Sequence, residues 1–172
     1  MARENRPAFV RYLLYFVLFL VGVLFQCTLC GRLSGLGYIV PLGACIGCAM
    51  YEFEFVSMAY GALCGICWDI VSPALSGFHA LYLSFCCLAV GFLCRYYLRT
   101  NIKTFLLFSS LFHFLFYCLR YLSTFGFAGF EDGLGFILRD YVVPFALSLV
   151  LSVIVYFVFA AVHYYTVPTE RK

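Results

Sequence analysis

Apolar residues recur in six long runs along the chain, and short polar stretches separate the runs. The runs are Phe9–Leu29, Leu36–Tyr51, Phe55–Val71, Phe78–Leu98, Thr104–Phe125 and Ile137–Tyr164. About 20 consecutive apolar residues are enough for a helix to cross a bilayer. The pattern therefore predicts an all-α membrane protein, a bundle of six transmembrane helices that forms a single integral membrane domain over residues 1–172.

The second and third runs are short and lie close together, so one long span is the alternative to two. Basic residues discriminate between the two layouts, because cytoplasmic flanks of spans are enriched in Lys and Arg. With six spans and a cytoplasmic N-terminus, the inside carries Arg3, Arg6, Arg11, Arg95, Arg99, Lys103, Arg171 and Lys172, and the outside carries Arg32, Arg120 and Arg139. Five spans would put more basic residues outside than inside. The charges favour six spans, with both termini cytoplasmic.

Composition excludes several functional classes. Hydrophobic residues make up 65% of the chain, charged residues 11%, and mean hydropathy is +1.01. Such a chain lacks the polar side chains that a soluble surface needs. The formal charge of +3 comes from the membrane flanks, so no nucleic-acid partner is implied. Local signatures of membrane hydrolases and nucleotide-binding loops are absent from the sequence, which predicts no enzymatic activity and no cofactor.

Ten cysteines include three Cys-x-x-Cys pairs, Cys27/Cys30, Cys45/Cys48 and Cys64/Cys67. Each pair lies in an apolar helix, where cysteine acts as a small hydrophobic residue, and no local His or carboxylate completes a metal site. A thiol oxidoreductase would need a reactive pair at an outer membrane end, and that hypothesis rests on Cys27/Cys30. His113 falls roughly 14 Å into the fifth run, which suits a neutral histidine bonded to another helix or a proton relay.

The stretch Tyr60–Leu81 places a carboxylate on a helix otherwise made of apolar and small residues. Gly61, Gly65 and Asp69 are spaced i, i+4, i+8, so they share a stripe that we expect to face protein. Asp69 inside a span needs a partner, a wet cavity or both, because insertion of the charge costs at least about 2.5–3.5 kcal/mol. Arg120 lies at a similar depth, roughly 24 Å against 21 Å, so we predict an Asp69–Arg120 ion pair.

The block Gly61-x-x-x-Gly65-x-x-x-Asp69-Ile-Val-Ser-x-x-x-x-Gly77-Phe-His-Ala-Leu81 resembles the signature of the MreD family of bacterial inner-membrane proteins. The positions that match the family are Gly65, Ile66, Asp69, Ile70, Gly77, Ala80 and Leu81. Pro73 and Ser76 depart from the pattern, where the family has Gly and Leu. The block spans 21 of the 172 residues; the rest agrees only in hydropathy and in the expected number of spans.

The resemblance implies a non-catalytic scaffold in the cytoplasmic membrane of a bacterium. Its partner would be the transmembrane helix of MreC and, directly or indirectly, the elongation complex of MreB, RodA and its transpeptidase, which controls peptidoglycan synthesis and rod shape. The implied fold is similar to the substrate-binding subunit of energy-coupling-factor transporters. That similarity supplies an alternative function, uptake of a small molecule such as a vitamin. The first run lacks the Ala-x-x-x-Ala docking stripe that such subunits usually carry.

Overall fold

Six helices make up the part of the chain that the structure describes. The structure is a computed structural model that describes residues 6–32, 40–71, 77–125 and 142–166. The helices are α1 (Arg6–Arg32), α2 (Val40–Tyr51), α3 (Glu54–Val71), α4 (Phe78–Tyr96), α5 (Ile102–Phe125) and α6 (Val143–Thr166). No strand occurs within these ranges. The all-helical class predicted from the apolar runs is confirmed.

Three of these helices are long and apolar enough to cross a membrane. They are α4, the Ile102–Leu122 part of α5, and α6. The apolar segments Val10–Gln26 of α1 and Val40–Tyr51 of α2 are shorter. The expected second and sixth spans begin at residues 36 and 137, and these starts lie outside the described residues. The chain therefore has helices suited to a membrane.

The short helix α2 lies at the centre of the bundle. It packs against all five other helices, and its residues Val40–Met50 are all buried. A helix that is apolar around its whole circumference needs protein or lipid on every side. Gly43 and Gly47 bring α6 close: a Cβ at Gly43 would lie 2.5 Å from the Ser152 hydroxyl, and one at Gly47 would lie 3.2 Å from the Phe159 ring.

The other five helices form a ring around α2. Backbone packing joins α1 to α3, α3 to α4, α5 to α6, and α6 to α1. Side chains link α4 to α5, where the Tyr82 hydroxyl donates a hydrogen bond of 2.6 Å to the Phe112 carbonyl. The contact between α1 and α3 is the least extensive of the four backbone contacts. Backbone packing between α4 and α5 is less extensive still, so side chains close the ring there.

Contacts between helix ends define two ends of the bundle. Arg11, near the start of α1, pairs with Glu52, which follows α2. His163, near the end of α6, stacks on Tyr51 with ring centroids 4.7 Å apart. The start of α1 and the end of α6 therefore lie at the same end, called here the Glu52 end. The opposite end, where α3 stops and α4 begins beside Asp69, is the Asp69 end.

Candidate functional site

The hairpin of α3 and α4 contains the residues that resemble a family signature, and it is the most extensively packed helix pair. Glycine allows this packing. A Cβ at Gly61 would lie 2.6 Å from the Leu83 carbonyl oxygen, and one at Gly65 would overlap the Ala80 backbone. The glycine stripe therefore faces protein, and α4 fills the groove that it forms.

Asp69 caps the first turn of α4 from across the hairpin. Its Oδ1 accepts a hydrogen bond of 3.2 Å from the His79 amide, and its Oδ2 accepts one of 3.1 Å from the Ala80 amide. The first amides of a helix have no partner within the helix. Gly77, in the N-cap position, has no side chain to supply one, and its φ of 89° is favourable only for glycine. A carboxylate from α3 therefore replaces the usual N-cap side chain.

The side-chain partner of Asp69 is His79. The His79 Nδ1 lies 2.7 Å from Asp69 Oδ1, and both side chains are at least nine-tenths buried. The sequence suggested Arg120 instead, and that pair is not among the ion pairs that the described residues form. The reason is local: the α3–α4 turn brings two free amides and an imidazole to the carboxylate, and these satisfy both of its oxygens.

Aromatic rings enclose the His79 imidazole. Trp68 stacks on it with ring centroids 4.2 Å apart, Phe78 meets it edge-on at 5.5 Å, and Phe116 of α5 lies 5.8 Å away. The rings exclude water from the Asp69–His79 contact and so strengthen it. Sequence analysis missed His79 as a partner. The sequence signal for this partner was the spacing of Asp69 and His79, ten residues apart on either side of the turn between α3 and α4.

The matching residues have different surroundings at the Asp69 end. Gly65 and Ala80 touch, Asp69 and Gly77 form the cap, and these four residues set the geometry of the hairpin. Leu81 differs, because 77% of it is exposed. Ile70, at the last turn of α3, is 79% exposed. The hairpin thus presents apolar side chains outward from a rigid base.

A second polar cluster lies at the Glu52 end. Arg11 Nε is 2.6 Å from Glu52 Oε1, Arg11 Nη2 donates to Oε2 at 3.3 Å, and the Tyr12 hydroxyl is 3.5 Å from Oε2. Burial raises the pKa of the Glu52 carboxyl above its usual 4.5, although Arg11 opposes the shift. Glu54 pairs with Arg95 at 2.7 Å nearby. Sequence analysis missed the Arg11–Glu52 pair, although the six-span layout puts both residues at one membrane face.

The cysteines and His113 belong to the bundle core. Cys45, Cys48, Cys64, Cys86 and Cys87 are buried, and every cysteine whose side chain the structure describes is a free thiol. Within the described ranges, no group of three or more His, Cys, Asp or Glu could hold a metal ion. The side chains of Cys27 and Cys30 lie outside the described residues. His113 Nδ1 donates to the Ser109 carbonyl at 2.7 Å, a bond within α5.

The arrangement at the Asp69 end is suited to holding two helices at a fixed angle. The carboxylate oxygens of Asp69 are occupied by donors from α4, and the glycines are covered by backbone. Comparison of the chain with known protein families, with characterised proteins and with solved structures finds no match.

Proposed function

We propose that this chain is a non-catalytic membrane scaffold of the bacterial cell-elongation complex, similar to MreD. It binds the transmembrane helix of MreC and, directly or through MreC, acts on MreB, RodA and its transpeptidase. The resemblance of residues 61–81 to the family signature is the source of the proposal.

One observation carries the proposal beyond sequence likeness. Four residues of the signature lie at one helix junction, the contact between α3 and α4. They are Gly65, Asp69, Gly77 and Ala80. A signature that preserves a junction suits a protein whose work is to present a surface. A signature for chemistry would instead leave polar atoms directed at a cavity.

The topology in this proposal has six spans in the cytoplasmic membrane and both termini in the cytoplasm. Eight basic residues then lie inside and three outside. The start of α1 and the end of α6 share the Glu52 end, as an even number of crossings requires. Reporters placed after Lys172 and at Gly133 test the layout. Labelling of both positions from one side of the membrane would contradict it.

The partner helix in this proposal packs on the outward face of the α3–α4 hairpin. The Gly61/Gly65 groove is already filled by α4, so it is not available to a partner. Ile70 and Leu81 project from the rigid end of the hairpin and are among its most exposed apolar residues. Close apolar packing is the main means of helix association in lipid.

Depletion and co-purification test the function. In a rod-shaped bacterium that carries this protein, depletion should round or swell the cells, and MreC should co-purify in mild detergent. The Ile70→Ala/Leu81→Ala variant should lose MreC. The control variant Leu107→Ala/Leu111→Ala changes two other exposed leucines, on α5, and should retain it. Normal rods after full depletion, with saturable vitamin binding by the purified protein, would favour the transporter subunit instead.

A further inference from the structure

A crevice of about 200 Å³ opens between α1 and α3, which are joined by limited backbone packing. Phe16 and Phe19 of α1 form one wall, Val56, Ala59 and Leu63 of α3 form the other, and Cys48 of the central helix contributes to the floor. Phe16 is 50% exposed and Leu63 is 54% exposed. The crevice is therefore apolar and reaches from the outer surface of the ring to its centre.

The dimensions of the crevice suit an extended chain. The residues that line it cover Tyr12 to Phe19 on α1 and Val56 to Leu63 on α3, which is roughly 10 Å along each helix axis. One leaflet of the hydrocarbon core is about 15 Å thick. The crevice is long enough for most of an acyl chain.

Polar groups lie at the Glu52 end of the crevice. Tyr12 lines it, and the Arg11 guanidinium carbon is 5.4 Å from the centre of the Tyr12 ring. Arg11 directs Nε and Nη2 at Glu52. A guanidinium has five N–H donors, so three remain for another anion. The Arg11 side chain is 17% exposed.

Tyr15 adds a second polar group at this end of the crevice. It lines the crevice and is only 2% exposed. Its buried hydroxyl lies near Glu52 but forms no hydrogen bond of acceptable geometry with a described residue. A buried hydroxyl without a partner costs free energy. An ester oxygen at the top of a lipid chain would accept its proton.

We propose that this crevice binds one acyl chain of a membrane phospholipid, with the lipid phosphate against Arg11 and Tyr12 and an ester oxygen near Tyr15. The lipid aligns with the bilayer, because its polar end meets the Glu52 end and its chain runs toward the middle of the bundle. It fills the crevice and so links α1 to α3. The proposal does not depend on the elongation complex.

Lipid binding to the delipidated full chain tests the proposal, with native mass spectrometry as the readout. The probes are phosphatidylglycerol and the matching diacylglycerol, which lacks the phosphate. Ala59→Trp fills the crevice and should weaken phosphatidylglycerol binding by about tenfold or more, since the apolar contact of the chain is lost. Ala146→Trp places the same ring on an exposed position of α6 and should leave binding unchanged.

The phosphate contact is tested by the double variant Arg11→Gln/Glu52→Gln, which leaves no unpaired charge at the buried pair. It should bind phosphatidylglycerol no better than diacylglycerol. Thermal unfolding in detergent shows that each variant is folded. Equal lipid binding by Ala59→Trp and Ala146→Trp would overturn the proposal. Loss of co-purifying MreC from Ala59→Trp, with lipid binding intact, would also overturn it and assign the crevice to a partner side chain.

Discussion

The contact between Asp69 and His79 should be measurable as a coupling free energy. Asp69→Ala removes two bonds to α4 amides and one to the imidazole. Loss of a helix N-cap costs about 1 kcal/mol, and a hydrogen bond to a charged group contributes about 1.5–3 kcal/mol. We therefore expect Asp69→Ala to lower the free energy of unfolding by about 3 kcal/mol.

His79→Phe isolates the imidazole contribution. The phenyl ring preserves the stack on Trp68 and Phe116, and the residue keeps its backbone amide. It loses only the Nδ1 contact to Asp69. In the Asp69→Ala/His79→Phe double variant, the cap is lost as in the single variant, so the cap cancels from the cycle. The coupling free energy should be about 1–2 kcal/mol.

The assay is reversible unfolding in mixed micelles, followed by far-UV circular dichroism at pH 7. The same cycle with Arg120→Gln in place of His79→Phe tests the partner expected from the sequence. Uncoupled sites add to within about 0.5 kcal/mol, and that is the expected result for Arg120. Additivity of Asp69→Ala with His79→Phe, together with strong coupling to Arg120→Gln, would refute the assignment of His79 as the partner.

Three further results are expected. Gly65→Ala should destabilise the protein by about 1–3 kcal/mol through overpacking against the Ala80 backbone, whereas Gly22→Ala, whose Cβ meets nothing within 4 Å, should be neutral or stabilising; equal effects would contradict the close α3–α4 contact. Between pH 4.5 and 7 the folded state binds more protons than the unfolded state, because the pKa of Glu52 is raised above 4.5 on folding. Wild type should therefore lose stability relative to Glu52→Gln as pH rises through this range; melting temperatures of the two proteins that change equally with pH would count against this. Cys45, Cys48, Cys64 and Cys87 should resist maleimide until the chain unfolds, as mass spectrometry would show, because each is at most 1% exposed.

The sequence by itself determined the class of the protein, because hydropathy is a local property that each apolar run carries alone. It also identified Gly61, Gly65 and Asp69 as positions that need a protein neighbour, since a charge inside a span costs free energy wherever it lies. The i, i+4 spacing was enough to put the glycines on one helix face. Which helix covers that face is not a local property, and α4 was identified only in the folded chain.

Tertiary structure decided the partners. Depth along a helix gave Arg120 and Asp69 the same level, but a one-dimensional depth carries no information about direction around the helix axis. The turn at Gly77 brings His79 and two free amides to Asp69, and such short-range donors satisfy the carboxylate before a distant guanidinium can. The central position of α2 was equally hidden, because a buried helix and a lipid-facing helix are both apolar all round, and only packing against five neighbours distinguishes them.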